Sequence, residues 1–288
     1  MKQFLTLLFA SILATSNTCF AQIKIFGKEL FGGETIKAST NYVTKKMMVD
    51  EFKQISVAGA FDVSYKQSIG KPVVEIYTSD NIVELLDIHV TGSTLYIQFK
   101  KNIKASYNKL EIRVSSEHLN NISVAGSGDV EILNKLKTSH LNLSVAGSGE
   151  IIGKEIASEG DIKCNISGSG EIELKEVSCQ SLTTSVAGSG DLEIENIDTQ
   201  HTKVSISGSG EINLQGKTEN VNYKIAGSGE IYASRLQAEE VNASIAGSGE
   251  IECHANKSLN ASIAGSGEIG YKGNPQINKA PKKGLYKL

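Results

Sequence analysis

Eight acidic residues stand at matched places along the second half of the chain: Asp129, Glu150, Glu171, Asp191, Glu211, Glu230, Glu250 and Glu268. Each directly follows a Gly-Ser-Gly triplet, the triplets starting at Gly126, Gly147, Gly168, Gly188, Gly208, Gly227, Gly247 and Gly265. If the triplets stack, the carboxylates form a column with neighbours about 4.8 Å apart. Oxygen-rich rows of this kind can bind divalent cations. Two carboxylates about 5–9 Å apart can also hydrolyse a glycosidic bond. Alternatively, each acid accepts backbone N–H groups of its own bend, or simply faces water. Either of these two structural readings is preferred to metal binding or catalysis. Near-identical sites express a structural rule, whereas acid–base catalysis needs two groups in unlike environments. Like charges at this spacing cost about 0.9 kcal/mol per pair in water, and salt lowers that.

The remaining chemistry-bearing residues are weaker candidates. The triplet serines Ser127, Ser148, Ser169, Ser189, Ser209, Ser228, Ser248 and Ser266 could form a hydroxyl ladder, or a flat small-residue face for glycans or proteins. Solvated structural serine is the plainer reading. The triplets open no helix and carry no Lys-Ser/Thr, so they are not phosphate loops. His89, His118, His140, His201 and His254 are scattered, with no metal-ligand spacing. They read as surface residues, although His140 and His201 share a column position three rungs apart. Cys164, Cys179 and Cys253 are odd in number and irregularly spaced, which is not a disulfide framework. Cys164 and Cys253 fall on inward positions and are expected to be inert.

The elements that position these residues follow from the repeat. The triplets recur at intervals of 21, 21, 20, 20, 19, 20 and 18 residues. A β-branched residue stands two places before each first glycine: Val124, Val145, Ile166, Val186, Ile206, Ile225, Ile245 and Ile263. A fixed period near twenty denotes a solenoid-type array. Within a unit the apolar period is two, as in Ile162, Cys164, Ile166 before Gly168 and Ile172, Leu174 after it. That pattern predicts two short strands joined by a tight glycine bend. The only prolines, Pro72, Pro275 and Pro281, lie outside the array, where a missing N–H would break the ladder.

Upstream, Lys2 followed by the apolar run from Phe4 to Ala14, with Ala21 before Gln22, reads as a signal peptide. The run is too short to span a bilayer. Ser16, Asn17 and Thr18 before Cys19 do not make a lipobox. The 29 basic and 32 acidic residues nearly balance, and Arg113 and Arg235 are the only arginines. Neither nucleic acid nor clustered phosphate is an expected partner. Trp is absent and all eight Phe lie at or before Phe99, so the later chain must build a narrow aliphatic core. Asp80 to Leu86 is expected to form one helical turn capped by Asp80.

The opening motif Phe52-Lys53-Gln54-Ile55-Ser56-Val57-Ala58-Gly59-Ala60-Phe61-Asp62-Val63 is a degenerate copy of the unit. With the segment Asp80–Asp87 leading to Gly92-Ser93-Thr94-Leu95, and the terminal Tyr271-Lys272-Gly273-Asn274-Pro275, it resembles the family described as putative autotransporter adhesin, head GIN domain. The resemblance spans about residues 50 to 276. It implies a β-helical, exported protein and carries over no catalytic residue. Members often close with another Gly-Ser-Gly, where this chain reads Lys279-Ala280-Pro281-Lys282-Lys283-Gly284. No membrane barrel is expected after the repeats.

The resulting expectation is an all-β, parallel β-helix-like solenoid of ~20-residue rungs with an N-terminal β cap region. The expected divisions are a signal peptide (1–21), a mixed leader (22–49), an N-terminal β region (50–116), the repeat array (117–276) and a basic tail (277–288). The expected role is a non-catalytic exported envelope or surface protein, adhesin-like, binding glycans or envelope or host surface proteins through a regular face. The alternatives are a carbohydrate-active lyase or hydrolase and a periplasmic scaffold. No catalytic, cofactor-binding or metal site is assigned, and no cofactor. No transmembrane segment is expected in the mature chain.

Overall fold

The computed structural model describes residues 35–288, together with the two-residue strands Lys24–Ile25 and Lys28–Glu29. The expected signal peptide, Cys19 and Ala21 lie outside the described residues. The described chain is a β-solenoid of about eight turns.

Alternation and glycine together generate the stack. On the side leading into each glycine corner, Asn121–Gly126 pairs in parallel with Leu141–Gly147, and that strand with Asp161–Gly168. The register puts Val124 over Val145 and Val145 over Ile166, and the column continues through Val186, Ile206, Ile225 and Ile245 to Ile263. On the trailing side, Val130, Ile151, Ile172, Leu192, Ile212, Ile231, Ile251 and Ile269 form a second inward column. Every member of this trailing column is buried. Burial of each such side chain contributes roughly 1.5–3 kcal/mol.

Both glycines of a triplet are required, for different reasons. Gly168 has φ +120°, and a Cβ there would lie 2.5 Å from the Gly147 carbonyl oxygen of the previous rung. Gly210, the second glycine of its triplet, is buried. A Cβ there would meet the Gly190 carbonyl oxygen at 2.5 Å and Val186 Cγ1 at 2.6 Å. The corners of successive rungs therefore stack backbone on backbone. The serine between them is exposed, and its N–H donates to the rung before, as from Ser209 to the Gly188 carbonyl at 2.8 Å.

Each rung has three sides: the two strands read on either side of the glycine bend, and a third that closes the turn. Asp129–Ile132, Leu136–Thr138 and Leu141–Gly147 are successive strands, and Leu136–Thr138 pairs in parallel with Ile156–Ser158. This closing side is short. Its inward residues, such as Leu136, Ile156, Val177 and Ile197, number too few per rung to make a period-two signal.

The stack also starts one rung before the first triplet. Gln54–Gly59 pairs with Asn121–Gly126, and Asp62–Tyr65 with Asp129–Ile132. Phe61 occupies the place of the second glycine, is wholly buried, and lies 5.1 Å from the Phe99 ring between centroids. With Phe52 it plugs the end of the narrow aliphatic interior, which explains where the phenylalanines are spent. The chain between the first two rungs folds into the lid. Thr94–Phe99 pairs in parallel with the first leading strand and is covered by antiparallel Leu86–Thr91. Leu110–Ser116 pairs in parallel with Asp62–Gln67 and is covered by antiparallel Val73–Ser79.

Three local expectations change. Within the segment read as a leader, Tyr42–Met48 is a strand antiparallel to Val73–Ser79, with Tyr42 stacked on Tyr77 at 5.6 Å. The helical turn is Asp80–Val83 with Ser79 at its N-cap position. Asp80 is its first residue, and its carboxylate is held below the usual range mainly by hydrogen bonds from Ser39 and then Asn41. The segment read as a basic tail returns onto the last rung. Leu285–Lys287 pairs with Ile269–Tyr271, Gln276 and Ile277 pair with Ser258 and Leu259, and Lys279 pairs with Asn260. Gly284 packs against Gly267, so the stack closes without a further triplet. Pro281, Lys282 and Lys283 lie on the stretch between these contacts, and such residues discourage edge-to-edge pairing.

Candidate binding surface

The leading face carries small neutral columns. Outward positions read Asn121, Ser123, Ala125 in one rung and Asn142, Ser144, Ala146 in the next, and Asn242, Ser244, Ala246 near the far end. The asparagines bond rung to rung: Asn142 Nδ2 donates to Asn121 Oδ1 at 2.7 Å, and Asn260 Nδ2 to Asn242 Oδ1 at 2.9 Å. Lys163, Lys203 and Lys224 are the basic members of this face in the middle rungs, and Asp161 and Glu240 stand exposed where two of its strands enter it.

The trailing face carries the eight acids in one column, as their spacing predicted, and Asp62 extends it by one rung. Their backbone N–H groups donate to the second glycine carbonyl one rung earlier, as from Glu171 to Gly149 at 3.0 Å. The corner donors are thus satisfied by the ladder, and the carboxylates are left facing outward. Burial, then the charge of Asp62, pushes the Asp129 carboxyl up. Burial, then Glu171 and Asp129, does the same to Glu150, and burial followed by Asp191 to Glu171. In the later rungs neutral donors attend the column: Asn213 bonds Glu211 at 2.6 Å, Tyr232 bonds Glu230 at 2.6 Å, and Tyr286 bonds Glu250 at 2.8 Å. Among the described residues, no group of three or more His, Cys, Asp or Glu side chains is placed to hold a metal ion.

Among the described residues, Cys164, Cys179 and Cys253 are free and buried, and burial is the first cause raising each thiol to about 12. Such thiols are poor nucleophiles. Cys179 adjoins a cavity of about 430 Å³ lined also by Asp198, Lys217 and Glu239. Its floor includes Thr199 and Thr218, which with Thr202 form a triangle of hydroxyls 3.0–3.1 Å apart. Those hydroxyls satisfy one another, which accounts for three polar side chains inside the stack.

The histidines are not all scattered. His118 and His140 line one cavity of about 210 Å³ with Lys53, Asn120, Lys137 and Ser139. Their separation of 22 residues is close to one rung, and that spacing was the signal available in the sequence. The cavity lies where the closing side begins. Leu110–Ser116 ends and Asn121–Gly126 starts with residues 117–120 outside any strand, and residues 139–140 are likewise outside strands one rung on. In the later rungs the same corner runs inside continuous strands such as Glu171–Gly188.

This geometry defines a capped β-solenoid with long regular outward faces. The family model described as "Putative auto-transporter adhesin, head GIN domain" matches residues 51–211 and 163–275, and the chain belongs to that family. Among solved structures, the chain is similar to one described as a putative adhesin from Parabacteroides merdae. That match has 25% identity and a TM-score of 0.69, and covers 89% of this chain and 100% of the other. It is also similar to one described as a putative lipid binding protein from Parabacteroides distasonis. Identity there is 28% and the TM-score 0.67, with 88% of this chain and 100% of the other covered. No curated protein matches the chain. No helix among the described residues is long and apolar enough to cross a membrane.

Proposed function

We propose that this protein is a non-catalytic, exported binding module of adhesin type that acts at the outer cell surface through its leading face. One observation carries the reading: the Asn, Ser and Ala columns of that face repeat in register at both ends of the stack, and the middle rungs keep mostly small or uncharged residues between their lysines. Covering small neutral groups that already bond one another costs little desolvation. Covering the trailing face would strip water from a row of carboxylates, at a much higher cost. The trailing face then serves to keep the solenoid hydrated and apart from its copies. Glycans and envelope or host surface proteins are the partners suited to a flat hydrogen-bonding face. The two surface cavities described above are lined mainly by polar residues, which favours polar ligands over acyl chains.

The test is a binding screen of the purified mature chain against glycan and surface-protein arrays. Each hit is repeated with Ser185→Arg and Ser205→Arg on the leading face, and with Glu173→Arg and Glu193→Arg on the trailing face. Loss confined to the leading-face variants supports the reading. Loss confined to the trailing-face variants overturns the choice of face, and no hit on either array overturns the binding role.

A further inference from the structure

We infer that the cavity between Lys53, His118, Asn120, Lys137, Ser139 and His140 is a binding site for one small oxyanion group, a sulfate, phosphate or carboxylate. The inference does not depend on the adhesin reading of the leading face.

The cavity exists because the three sides of the solenoid do not start together. The first rung has a leading strand, Gln54–Gly59, and a trailing strand, Asp62–Gln67. After Gln67 the chain leaves for the lid, so no strand of the first rung lies beside the first closing strand, Leu136–Thr138. The Gln67 side chain fills part of that gap. Its Nε2 donates to the carbonyls of Glu117 at 2.8 Å and Lys137 at 2.9 Å, and its Oε1 accepts the Lys137 N–H at 2.8 Å. Asn134 fixes the Gln67 backbone from both sides, at 2.9 Å each. The rest of the gap remains open, and Lys53 and Lys137 border it from different rungs.

The lining chemistry selects the ligand. Two lysines, two histidines, an asparagine, a threonine and a serine line one space, and no acidic residue does. That absence is specific, because the chain carries 32 acids against 29 bases. Ammonium groups and neutral N–H or O–H donors together suit an anion with several acceptor oxygens. A volume of about 210 Å³ is below the roughly 300–1,000 Å³ of drug-sized ligand pockets. It therefore fits a single anionic group, free or carried on one sugar ring.

The experiment is calorimetric titration of the intact mature chain at low salt, with inorganic sulfate in one arm and galactose 6-sulfate in the other. Saturable binding is expected. The double variant Lys53→Gln/Lys137→Gln should weaken it about tenfold or more, as expected for losing two charge-assisted contacts. The pair His118→Gln/His140→Gln should weaken it less. The pair Lys282→Gln/Lys283→Gln, exposed on the stretch beyond the last rung, should leave it unchanged. All of these side chains except Asn120 are exposed, so unaltered melting of each variant is the check on folding. Tighter binding of the sugar sulfate would assign an anionic saccharide, and equal binding a free ion. Lack of saturable binding in both arms, or an equal loss in the Lys282/Lys283 control, would overturn the site.

Discussion

Gln67 holds both backbone hydrogen-bonding groups of Lys137: Oε1 accepts its N–H at 2.8 Å, and Nε2 donates to its carbonyl at 2.9 Å. One side-chain amide thus replaces a length of β-strand at the start of the closing side. Gln67→Ala should destabilise the chain by about 0.5–1.5 kcal/mol, the net worth of hydrogen bonds made near the surface. Gln67→Glu should cost at least as much, because it sets a carboxylate against the Glu117 and Lys137 carbonyls. Urea unfolding of both variants checks this, and a Gln67→Glu chain as stable as the parent would refute the amide's role as a donor.

The corner account separates the three residues of a triplet. Gly210→Ala must push a methyl group into the Gly190 carbonyl and Val186, and should cost more than about 2 kcal/mol. Ser209→Ala touches an exposed side chain and should stay within about 0.5 kcal/mol of the parent. The comparison is a pair of thermal melts under one buffer. Equal effects would mean that the serine column, rather than the glycines, holds the corner.

Inside the stack, Thr184 is fully buried and its hydroxyl has no hydrogen-bond partner. It stands between Cys164 and Val204 in an inward column. Thr184→Val keeps the shape and removes the unmet hydroxyl, so it should stabilise the protein by roughly 1–2 kcal/mol. A destabilised Val variant in urea would show that the hydroxyl does find a partner. Two positions up the same column, the unpartnered Tyr223 hydroxyl gives a parallel test through Tyr223→Phe.

The carboxylate column makes a pH-dependent prediction. Asp129, Glu150 and Glu171 have folded-state values raised above their ordinary ones. Between the ordinary and the raised value the folded state holds more protons, so stability falls as pH rises through that window. The penalty is fully present above it and is relieved as pH falls back through it. Asp129→Asn/Glu150→Gln/Glu171→Gln should therefore melt above the parent at pH 7. After screening of these largely exposed groups, the gain is about 1 kcal/mol in all, or roughly 2–4 °C. The gap should narrow with added salt, and also as pH falls towards the ordinary carboxylate range. A gap that widens on acidification would contradict the column's repulsion.

Much of the stack was legible because its signals are local and repeated. The Val and Ile residues two places before each first glycine gave the register, and Cys164 and Cys253 were correctly placed inward. The family resemblance, carried by the Phe52–Val63 motif and the Asn274-Pro275 turn, also agrees with the family match. The third side was not legible, because residues such as Leu136 and Ile156 supply too few inward positions per rung. The first rung was read as a degenerate copy of the unit but placed in the N-terminal β region, because Phe61 stands where the array has a glycine. The cleft was hidden for a different reason. Lys53 and His118 are 65 residues apart, and only the lid's excursion from Gln67 brings their rungs together.

A binding face displayed outside the cell is open to impermeant reagents on intact cells. The most direct measurement is labelling of intact producing cells with a membrane-impermeant amine-reactive biotin, followed by recovery of the chain. Exposed lysines such as Lys203 and Lys224 on the leading face supply the reactive groups. For a surface-displayed face, labelling on intact cells should match that after the outer membrane is opened. Labelling that appears only after opening would place the protein inside the envelope and contradict the surface-adhesin account.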